Sequence, residues 1–392
     1  MLSTDVAIVG GGLAGSTAAA MLGRAGIRVV LIDPNEIYPP DFRCEKLDSS
    51  QVAVLRKTGL ADDILPATTH DGSFWIARFG RLIDKRPGDQ NGVMYDTLVN
   101  TVRKAIPASV TQLRAKATEL STSRERQHIT LSNGDSVSAR LIILANGLNI
   151  GLRHALGIER KVMSPNHSIT VGFDLKPVGR PSFDFSSLTY YAERPSDRMA
   201  YLTLFPIGNA TRANLFTYRN VDDPMLREIR QNPVKVLHDL MPGLGRITGA
   251  FDVEGPVKVR PIDLYVSEGH LQPGIVLVGD AFATSCPAGG TGTSKVFTDV
   301  ERLCNVYVPE WLKSNGMGDE KIATFYRDPV KLACDMASSA KAYQLKSISI
   351  DNGLIWHLHR WARFVARAAT GFARSLRTPS PARPIDSVKP SA

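Results

Sequence analysis

The sequence predicts an α/β fold, in which a three-layer Rossmann-type nucleotide-binding domain carries an inserted antiparallel β-sheet domain and a helical C-terminus. Three observations predict this architecture. An apolar strand and a glycine-rich turn open the chain, a second strand and glycine-rich loop occupy residues 274–292, and strand-like segments dominate residues 166–265. The first two features are typical of dinucleotide binding, and the third indicates a separate sheet.

The N-terminal segment has the pattern of a βαβ unit that binds a dinucleotide. Val6–Val9 form an apolar strand, which an alanine-rich helical stretch follows after a short turn. The glycines of that turn, at G-x-G-x-x-G spacing, are Gly10, Gly12 and Gly15. They permit a tight turn, a close approach of a pyrophosphate to the backbone, and close packing of the helix on the strand. A second strand ends at Asp33, which is suited to accept hydrogen bonds from an adenosine ribose and argues against a 2′-phosphate.

Composition and charge exclude several other classes of protein. The chain has 392 residues, a hydrophobic content of 43% and a formal net charge of +9, which fits a globular enzyme of two or more domains. Its four cysteines are scattered, so we expect no disulfide and no metal site. The first residues lead directly into a core strand and no apolar run is long enough to span a membrane, so we expect a cytoplasmic protein. Most of the excess positive charge lies after residue 352, which argues against a nucleic-acid interface.

A second glycine-rich segment indicates which dinucleotide is bound. A strand at Gly274–Val278 precedes Gly279-Asp280-Ala281, and a proline- and glycine-rich loop leads to a helix from about Thr293. This segment resembles the G-D-A-x-x-x-x-x-P-x-x-G-x-G segment of FAD enzymes with the p-hydroxybenzoate hydroxylase fold, the group A flavin monooxygenase-like family. The resemblance implies that Asp280 contacts the ribityl and pyrophosphate groups of FAD. It also implies that the backbone N–H groups of Gly292 and Thr293 face the flavin and stabilise the negative charge of its reduced form.

Two further segments match the same family. Arg43 follows the second strand, where family members often place an arginine that reaches the FAD phosphates. Asn146-Gly147 and Arg153, after a strand at Leu141–Ala145, resemble the family's D-G-x-x-S-x-x-R segment, but Asn146 replaces the aspartate and Ile150 the serine. In the family that aspartate supports FAD and pyridine-nucleotide interactions, so the source of the reducing electrons is left open. The resemblance implies FAD contacts for Gly10, Gly12, Gly15, Asp33, Arg43, Asp280, Gly290, Thr291, Gly292 and Thr293.

The positions of these motifs predict how the chain is divided. In the FAD-binding domain, strands at Val110–Leu120, Gln127–Leu131 and Ser136–Ala145 would complete the third layer. In the substrate domain we expect a hairpin over residues 72–86, four further strands and one helix, Asp223–Leu240. The predicted parts are a discontinuous FAD-binding domain (1–72, 95–165 and 266–345), a substrate domain (73–94 and 166–265), and a C-terminal amphipathic helix with a disordered basic tail (346–392).

The substrate pocket of this fold lies between the inserted sheet and the flavin, and the predicted sheet is rich in aromatic residues. Alternating aromatics also form the packed face of many sheets, so each is a candidate only. No histidine has a partner that would make an acid–base pair. The candidates for substrate contact are Trp75 from the hairpin, Tyr190, Tyr191, Tyr201, Phe205, Phe216 and Tyr218 from the sheet, and Cys286 and Pro287 from the flavin loop.

The resemblance leaves several functions open. The first is an NAD(P)H-dependent monooxygenase that hydroxylates an apolar or aromatic small molecule with O₂ through a flavin C4a-hydroperoxide. The alternatives are a flavin-dependent reductase or dehydrogenase of an apolar, polyprenyl-like substrate, and a flavin-binding, membrane-associated protein without turnover. Oxidation of NAD(P)H that consumes O₂ and yields an oxygenated product would separate the first from the others.

The end of the chain predicts an amphipathic helix over Leu354–Arg377. Its arginines share one face, and its leucine, tryptophan and phenylalanine side chains share the other. Residues 353–392 carry seven basic residues against one acidic residue, a net +6. The pattern is typical of a helix that lies in an anionic membrane interface, and residues 354–377 are the candidate segment for such a membrane contact. It is also typical of a terminal helix that docks its apolar face on its own FAD-binding domain.

Overall fold

A computed structural model describes residues 1–43 and 45–375 of the chain; Cys44 and the predicted basic tail after residue 375 lie outside the described residues. The strands, numbered in chain order, are β1 (Leu2–Val9), β2 (Val29–Ile32), β3 (Lys46–Asp48), β4 (Thr69–His70), β5 (Ser73–Arg78), β6 (Arg81–Pro87), β7 (Gln90–Gly92), β8 (Thr111–Leu113), β9 (Ala117–Ser121), β10 (Gln127–Leu131), β11 (Ser136–Leu144), β12 (Glu159–Pro177), β13 (Ser187–Tyr191), β14 (Met199–Ile207), β15 (Ala210–Thr217), β16 (Phe251–Glu268) and β17 (Ile275–Leu277). The helices are α1 (Leu13–Arg24), α2 (Ser49–Lys57), α3 (Ala61–Ile64), α4 (Tyr95–Lys104), α5 (Gly151–Ala155), α6 (Met225–Gln231), α7 (Pro233–Leu240), α8 (Gly245–Thr248), α9 (Gly292–Arg302), α10 (Val308–Leu312), α11 (Asp319–Tyr326), α12 (Pro329–Ile350) and α13 (Leu354–Ser375).

The first sheet is the predicted Rossmann-type sheet. Its order is β8-β2-β1-β11-β10-β9, and β17 pairs with β11. Strands β8, β2, β1, β11 and β17 are parallel, whereas β10 and β9 extend the sheet in antiparallel fashion. Parallel strands that are covered on both faces usually consist of a continuous run of apolar residues. β2 is such a strand, because all four of its residues, Val29–Ile32, are buried. One hydrophobic cluster joins the sheet to α1, α4 and α9, and another covers the opposite face.

The strands that are predicted to complete the third layer all pair within this first sheet. β11 pairs with β1 along the whole length of β1, from Leu2 opposite Val137 to Val9 opposite Leu144. Its apolar run suits a strand that is buried between two neighbours. The predicted strand at Val110–Leu120 is divided into β8 and β9, which lie at opposite edges of the sheet.

The second sheet is the inserted one, in the order β16-β12-β15-β14-β13-β5-β6. The prediction of an antiparallel sheet is correct except at one pair, because β5 comes from the earlier hairpin and runs parallel to β13. β12 and β16 pair over most of their length, and the predicted domain limits at residues 165 and 265 fall within these two strands. The predicted helix Asp223–Leu240 is divided into α6 and α7, because Pro233 lacks an N–H group and cannot continue a preceding helix.

A small third sheet, in the order β3-β7-β4, links the two large ones. Its strand β3 leads from Arg43 into α2, whose N-terminus is capped by Asp48 and Gln51 in a reciprocal capping box. Within the described residues no helix is both long and apolar enough to cross a membrane. The same residues contain no group of three or more histidine, cysteine or acidic side chains that could hold a metal ion.

Candidate active site

The glycine-rich turn between β1 and α1 has the geometry that dinucleotide binding requires. Gly10 has a φ of +104°, which side chains with a Cβ atom rarely adopt. A Cβ atom on Gly15 would lie 1.8 Å from the Gly10 carbonyl oxygen, so the helix can approach the strand only because residue 15 is glycine. A Cβ atom on Gly12 would meet only Tyr38, at 3.9 Å. The space beside Gly12, at the N-terminus of α1, is therefore open to an anionic ligand.

Asp33 lies at the end of β2 and closes the same turn. Its Oδ2 atom accepts a hydrogen bond from the Gly11 N–H group at 2.7 Å. Its Oδ1 atom accepts one from Arg103 Nη2 at 3.0 Å. Arg103, on α4, also donates to the Gly11 carbonyl oxygen at 2.6 Å. The sequence analysis missed Arg103, which holds both the turn and the acidic side chain in place.

Arg43 and Asp280 come from distant parts of the chain and meet at this site. Arg43 Nη1 lies 2.6 Å from Asp280 Oδ2, and Arg43 Nε lies 2.6 Å from Asp41 Oδ2. Arg260 binds the second oxygen of Asp41 at 2.7 Å. Both partners of the Arg43–Asp280 pair remain partly exposed, so a phosphate or ribityl hydroxyl group can reach them.

The loop that is predicted to face the flavin ends at the N-terminus of α9. Gly290 has a φ of +63°, and its carbonyl oxygen accepts a hydrogen bond from Gln51 Nε2 at 2.9 Å. The Thr291 hydroxyl lies 2.6 Å from that of Ser338 on α12. Helix α9 begins at Gly292 and Thr293 is buried. The free N–H groups at this helix end are positioned to favour negative charge.

The departures from the family motif lie beside the glycine turn. The Asn146 side chain donates to the Asn149 carbonyl oxygen at 3.1 Å, but its buried Oδ1 atom has no hydrogen-bond partner. A buried acceptor without a partner is unfavourable, and a donor group of a bound cofactor would satisfy it. Arg153 is completely buried and donates to the Ala281 carbonyl oxygen at 2.6 Å. It thereby ties the Asn146 segment to the Gly279–Ala281 loop, and these features together fit FAD.

A buried network of charged side chains contacts the backbone at Gly279, at the start of the flavin loop. The sequence analysis did not predict this network. Lys331 on α12 binds Asp299 at 2.8 Å and Asp335 at 2.9 Å. The other oxygen of Asp299 accepts a hydrogen bond from the Gly279 N–H group at 3.1 Å. Burial disfavours the charged form of Lys331, but the neighbouring acidic groups outweigh this effect and raise its pKa, so Lys331 keeps its charge at neutral pH.

A cavity of about 390 Å³ lies between the second sheet, the flavin loop and the two C-terminal helices. Tyr191 and Tyr201 line it from the sheet, Ala288–Gly290 from the flavin loop, and Phe364 from α13. The Tyr201 hydroxyl donates a hydrogen bond to the Ala288 carbonyl oxygen. Burial raises the pKa of Tyr201, so the hydroxyl keeps its proton. The volume is within the range of small-molecule sites.

Only some of the aromatic candidates line this cavity. Tyr191 and Tyr201 do so. Tyr190 points to the other side of β13, where it is completely buried in the core of the second sheet, because successive side chains on a strand alternate between faces. Trp75, on β5, packs on Phe185. The candidates that do not line the cavity are Trp75, Tyr190, Phe205, Phe216, Tyr218, Cys286 and Pro287.

Helix α13 packs with the face opposite to the one expected. Its Arg360 is buried and donates to the Ile348 and Asp351 carbonyl oxygens at 3.0 and 2.8 Å. The Arg367 guanidinium lies 4.7 Å from the Tyr191 ring centre. The prediction that the helix docks through its apolar face on the FAD-binding domain is therefore wrong, because arginines and Phe364 make the contact with the substrate sheet and α12. The exposed apolar residues, at 56–77% exposure, are Leu354, Ile355, Leu358, Trp361 and Val365.

Comparison with known proteins agrees with this geometry. Residues 3–307 match the model of a family described as FAD binding domain. The chain is 26% identical over 335 residues to 3-demethoxyubiquinol 3-hydroxylase of Escherichia coli, with 78% of this chain and 80% of the relative covered. It is 25% identical over 389 residues to a squalene epoxidase of Aspergillus fumigatus, with 91% and 77% covered.

A solved structure shows the same fold. The p-nitrophenol 4-monooxygenase PnpA of Pseudomonas putida superposes with a TM-score of 0.75 at 17% identity, and 95% of each chain is covered. The predicted fold class and the predicted cofactor are thus confirmed. With its glycine turn, its Arg43–Asp280 pair and its α9 N-terminus in the expected places, the chain belongs to the FAD-binding domain family and is a FAD-dependent oxidoreductase of the flavin monooxygenase type.

Proposed function

We propose that this protein is an NAD(P)H-dependent monooxygenase that hydroxylates an aromatic or quinone-like small molecule with O₂. The observation that carries the proposal is a cavity whose wall includes Ala288–Gly290 of the flavin loop and Tyr191 and Tyr201 of the second sheet. A substrate in this cavity would lie between an aromatic wall and the loop that faces the flavin. Two relatives that cover 78% and 91% of the chain are named as a hydroxylase and an epoxidase, which supports oxygen transfer. A menaquinone reductase of Mycolicibacterium smegmatis covers 74% of the chain, so reduction is the alternative that the experiment must exclude.

The residues of the chain would bind and orient, whereas FAD would supply the redox chemistry when it is bound. Gly10, Gly12 and Gly15 would hold the pyrophosphate at the N-terminus of α1, and Asp33 the ribose. Backbone N–H groups of Gly292 and Thr293 would stabilise negative charge on the ring system. On the substrate side, residues of α12 and α13 form part of the cavity wall.

Anaerobic mixing of the FAD-loaded protein with NADH and with NADPH tests the proposal. We expect at least one nucleotide to bleach the flavin absorbance, at a rate that Asn146→Asp increases because it restores the carboxylate of the family motif. Admission of O₂ should then restore the oxidised spectrum and consume O₂. If neither nucleotide reduces the flavin in the presence of aromatic and quinone-like compounds, a partner reductase or a redox-neutral role replaces this proposal.

We also propose that the exposed apolar face of α13 lies in a membrane interface. The face extends over three helical turns and includes Leu354, Leu358 and Val365 at 77%, 63% and 59% exposure. A contiguous apolar patch of this kind marks an interaction site. Arg360 and Arg367 face the protein, but residues 353–392 contain five other basic residues against one acidic residue, which would favour an anionic lipid surface. Two of the relatives are named for demethoxyubiquinol and squalene, which supports the delivery of a lipid-soluble substrate to the cavity beside α13.

Vesicle co-sedimentation tests this membrane contact. We expect the full chain to sediment with vesicles of phosphatidylcholine and phosphatidylglycerol, and the double variant Leu358→Glu/Val365→Glu to stay in the supernatant. Because both side chains are exposed, the variant should keep its fold and its flavin. The matched control is Val221→Glu/Met336→Glu, at apolar positions of similar exposure outside α13. Equal sedimentation of all three proteins, or none by the wild type, would contradict the contact.

A further inference from the structure

The turn between β5 and β6 holds a bulky residue in an unfavourable backbone conformation. Arg78 pairs with Arg81, so the loop of this hairpin consists of Phe79 and Gly80. Both have positive φ angles, +54° and +65°, as the two central residues of a type I′ turn require. Asn-Gly is the sequence that suits this turn, whereas a bulky side chain rarely adopts a positive φ. Strain of this kind persists only where the surrounding structure holds it, and it is concentrated at functional sites.

The strained turn places the Phe79 ring against helix α13. The ring stacks on Trp361, with 6.5 Å between the ring centres and 17° between the planes. It meets the Phe364 ring edge-on at 6.2 Å, and Trp361 and Phe364 contact each other at 5.7 Å. The Arg78 guanidinium lies 4.6 Å from the Phe79 ring centre. Phe79 is therefore the centre of an aromatic cluster that joins the hairpin to α13, and such ring pairs are stabilising beyond the area that they bury.

The same helix forms one wall of the substrate cavity. Arg360, Phe364 and Arg367 of α13 line the cavity, as does Ile83 of β6. A short connection, residues 351–353, links α13 to the end of α12. The contacts between α13 and the hairpin therefore decide whether this side of the cavity is closed.

The hairpin holds α13 at a second point as well. A Cβ atom on Gly371 would lie 2.2 Å from the Ile83 carbonyl oxygen, so the helix backbone rests directly on β6 at a distance that only glycine permits. Little apolar surface holds the rest of the helix, because five of its apolar side chains are 56–77% exposed. Segments with few buried apolar contacts are those that open most readily.

We propose that α13 is a lid of the substrate cavity and that the Phe79 ring holds this lid closed. This inference rests on the proposed function, because it takes the cavity as the substrate site. When the contacts with Phe79 are broken, α13 can swing about residues 351–353 and open the cavity beside Tyr191. Substrate would then enter between α13 and the hairpin. Phe79 acts on the cavity through α13 and is therefore a positioning residue.

Substitutions in the turn distinguish this role from ordinary packing. Phe79→Asn removes the ring and supplies the residue that a type I′ turn prefers. We therefore expect the midpoint of urea unfolding to stay the same or to rise, although α13 is held less firmly. Phe79→Tyr keeps an aromatic ring on Trp361 and should behave like the wild type. Gly371→Ala should also loosen α13, because its Cβ atom would collide with the Ile83 carbonyl group, although alanine is the better helix former.

Opening of the cavity is measured by alkylation of a cysteine in its wall. Thr203→Cys places a thiol at a buried lining position, and labelling of the FAD-loaded full chain with iodoacetamide is followed by peptide mass spectrometry. We expect at least about fivefold faster labelling when Phe79→Asn is also present, because two aromatic contacts are lost. Gly371→Ala should accelerate labelling too. Hydrogen exchange of residues 354–375 should rise in both variants, because an undocked helix is marginally stable in water. The control for global unfolding is Cys304, which is buried in the FAD-binding domain and should stay unlabelled.

Faster labelling and exchange in Phe79→Asn, with wild-type rates in Phe79→Tyr, would support the proposal. Unchanged labelling and exchange in both Phe79→Asn and Gly371→Ala would overturn it. A lower urea midpoint in Phe79→Asn, or labelling of Cys304 as fast as that of the introduced thiol, would also overturn it, because the ring would then stabilise the whole fold. These measurements need neither NAD(P)H nor O₂, so a failure of flavin reduction would concern only the proposed reaction.

Discussion

Two glycines of the β1–α1 turn should respond to the same substitution in different ways. In Gly15→Ala, the new methyl group would lie 1.8 Å from the Gly10 carbonyl oxygen and 3.2 Å from the Ala145 Cβ atom. Ordinary contact begins near 3.4 Å, so α1 must move by roughly 1.6 Å, and overpacking of this kind costs about 1–3 kcal/mol. In Gly12→Ala, the methyl group meets only Tyr38 at 3.9 Å, and the backbone at φ −74° and ψ −167° accepts alanine. We expect no loss of stability in the FAD-free protein.

The affinity for FAD should fall in both variants, for different reasons. Gly15→Ala displaces the N–H groups of α1, whereas Gly12→Ala occupies the space that a pyrophosphate would enter. The assay is the denaturation midpoint of each FAD-free protein, together with a fluorescence titration with FAD. We expect a lower midpoint only for Gly15→Ala, and a dissociation constant at least about tenfold higher for both variants. A Gly12→Ala protein that binds FAD like the wild type would refute the placement of the pyrophosphate, and one that is destabilised would refute the steric argument.

Three further predictions concern the supports of the site. Asp280→Ala should weaken FAD retention by about 1.5–3 kcal/mol through loss of a charge-assisted contact, and full flavin content after dialysis would contradict the assignment. Lys331→Met should destabilise the protein by about 3–5 kcal/mol because it leaves the buried carboxylate of Asp299 without its charged partner, whereas Asp335 keeps its ion pair with Lys295. Lys331→Met/Asp299→Asn should lose less in urea unfolding, and a loss below about 1 kcal/mol in the single variant would contradict the network. Burial and, to a smaller extent, the nearby charge of Lys346 lower the pKa of His167 from 6.5 to about 4. As the pH falls, the unfolded chain therefore takes up a proton at a higher pH than the folded chain does, and the free energy of unfolding should fall by up to about 3 kcal/mol from pH 6.5 to 4. In His167→Asn the free energy of unfolding should depend less on pH over that range. The same pH dependence in the variant and the wild type, measured by urea unfolding, would count against His167 as the cause.

The FAD-binding half could be predicted from the sequence because its signals are local. Gly10, Gly12 and Gly15 act through backbone geometry at fixed spacing, and the fold places Asp33 next to them through adjacent parallel strands. Arg103 and Lys331 could not be found in this way. Each acts on a residue far from it in the chain, 70 residues in the case of Arg103 and Asp33, and no motif marks such a pair.

The substrate half was less predictable because composition does not reveal which face of a strand points to a cavity. The alternation of side chains along β13 and β14 distinguishes the two faces of these strands. Leu188, Leu202 and Leu204 belong to the core, and Tyr190 lies with them on the core face. Tyr191 and Tyr201 then fall on the opposite face. The helical wheel of α13 assigned Phe364 to the apolar face, whereas in the structure Phe364 lines the cavity together with Arg360 and Arg367. Only tertiary packing decides which face of the helix meets the protein.

The fate of molecular oxygen is the most direct test of the account. The FAD-loaded full chain is incubated with NADPH or NADH, ¹⁸O₂ and a mixture of aromatic and quinone-like compounds, and the products are identified by mass spectrometry. A monooxygenase incorporates one labelled oxygen atom into the product for each nucleotide oxidised, and this is the result we predict. A product that is reduced or dehydrogenated and carries no label would contradict the proposed reaction and favour the reductase alternative.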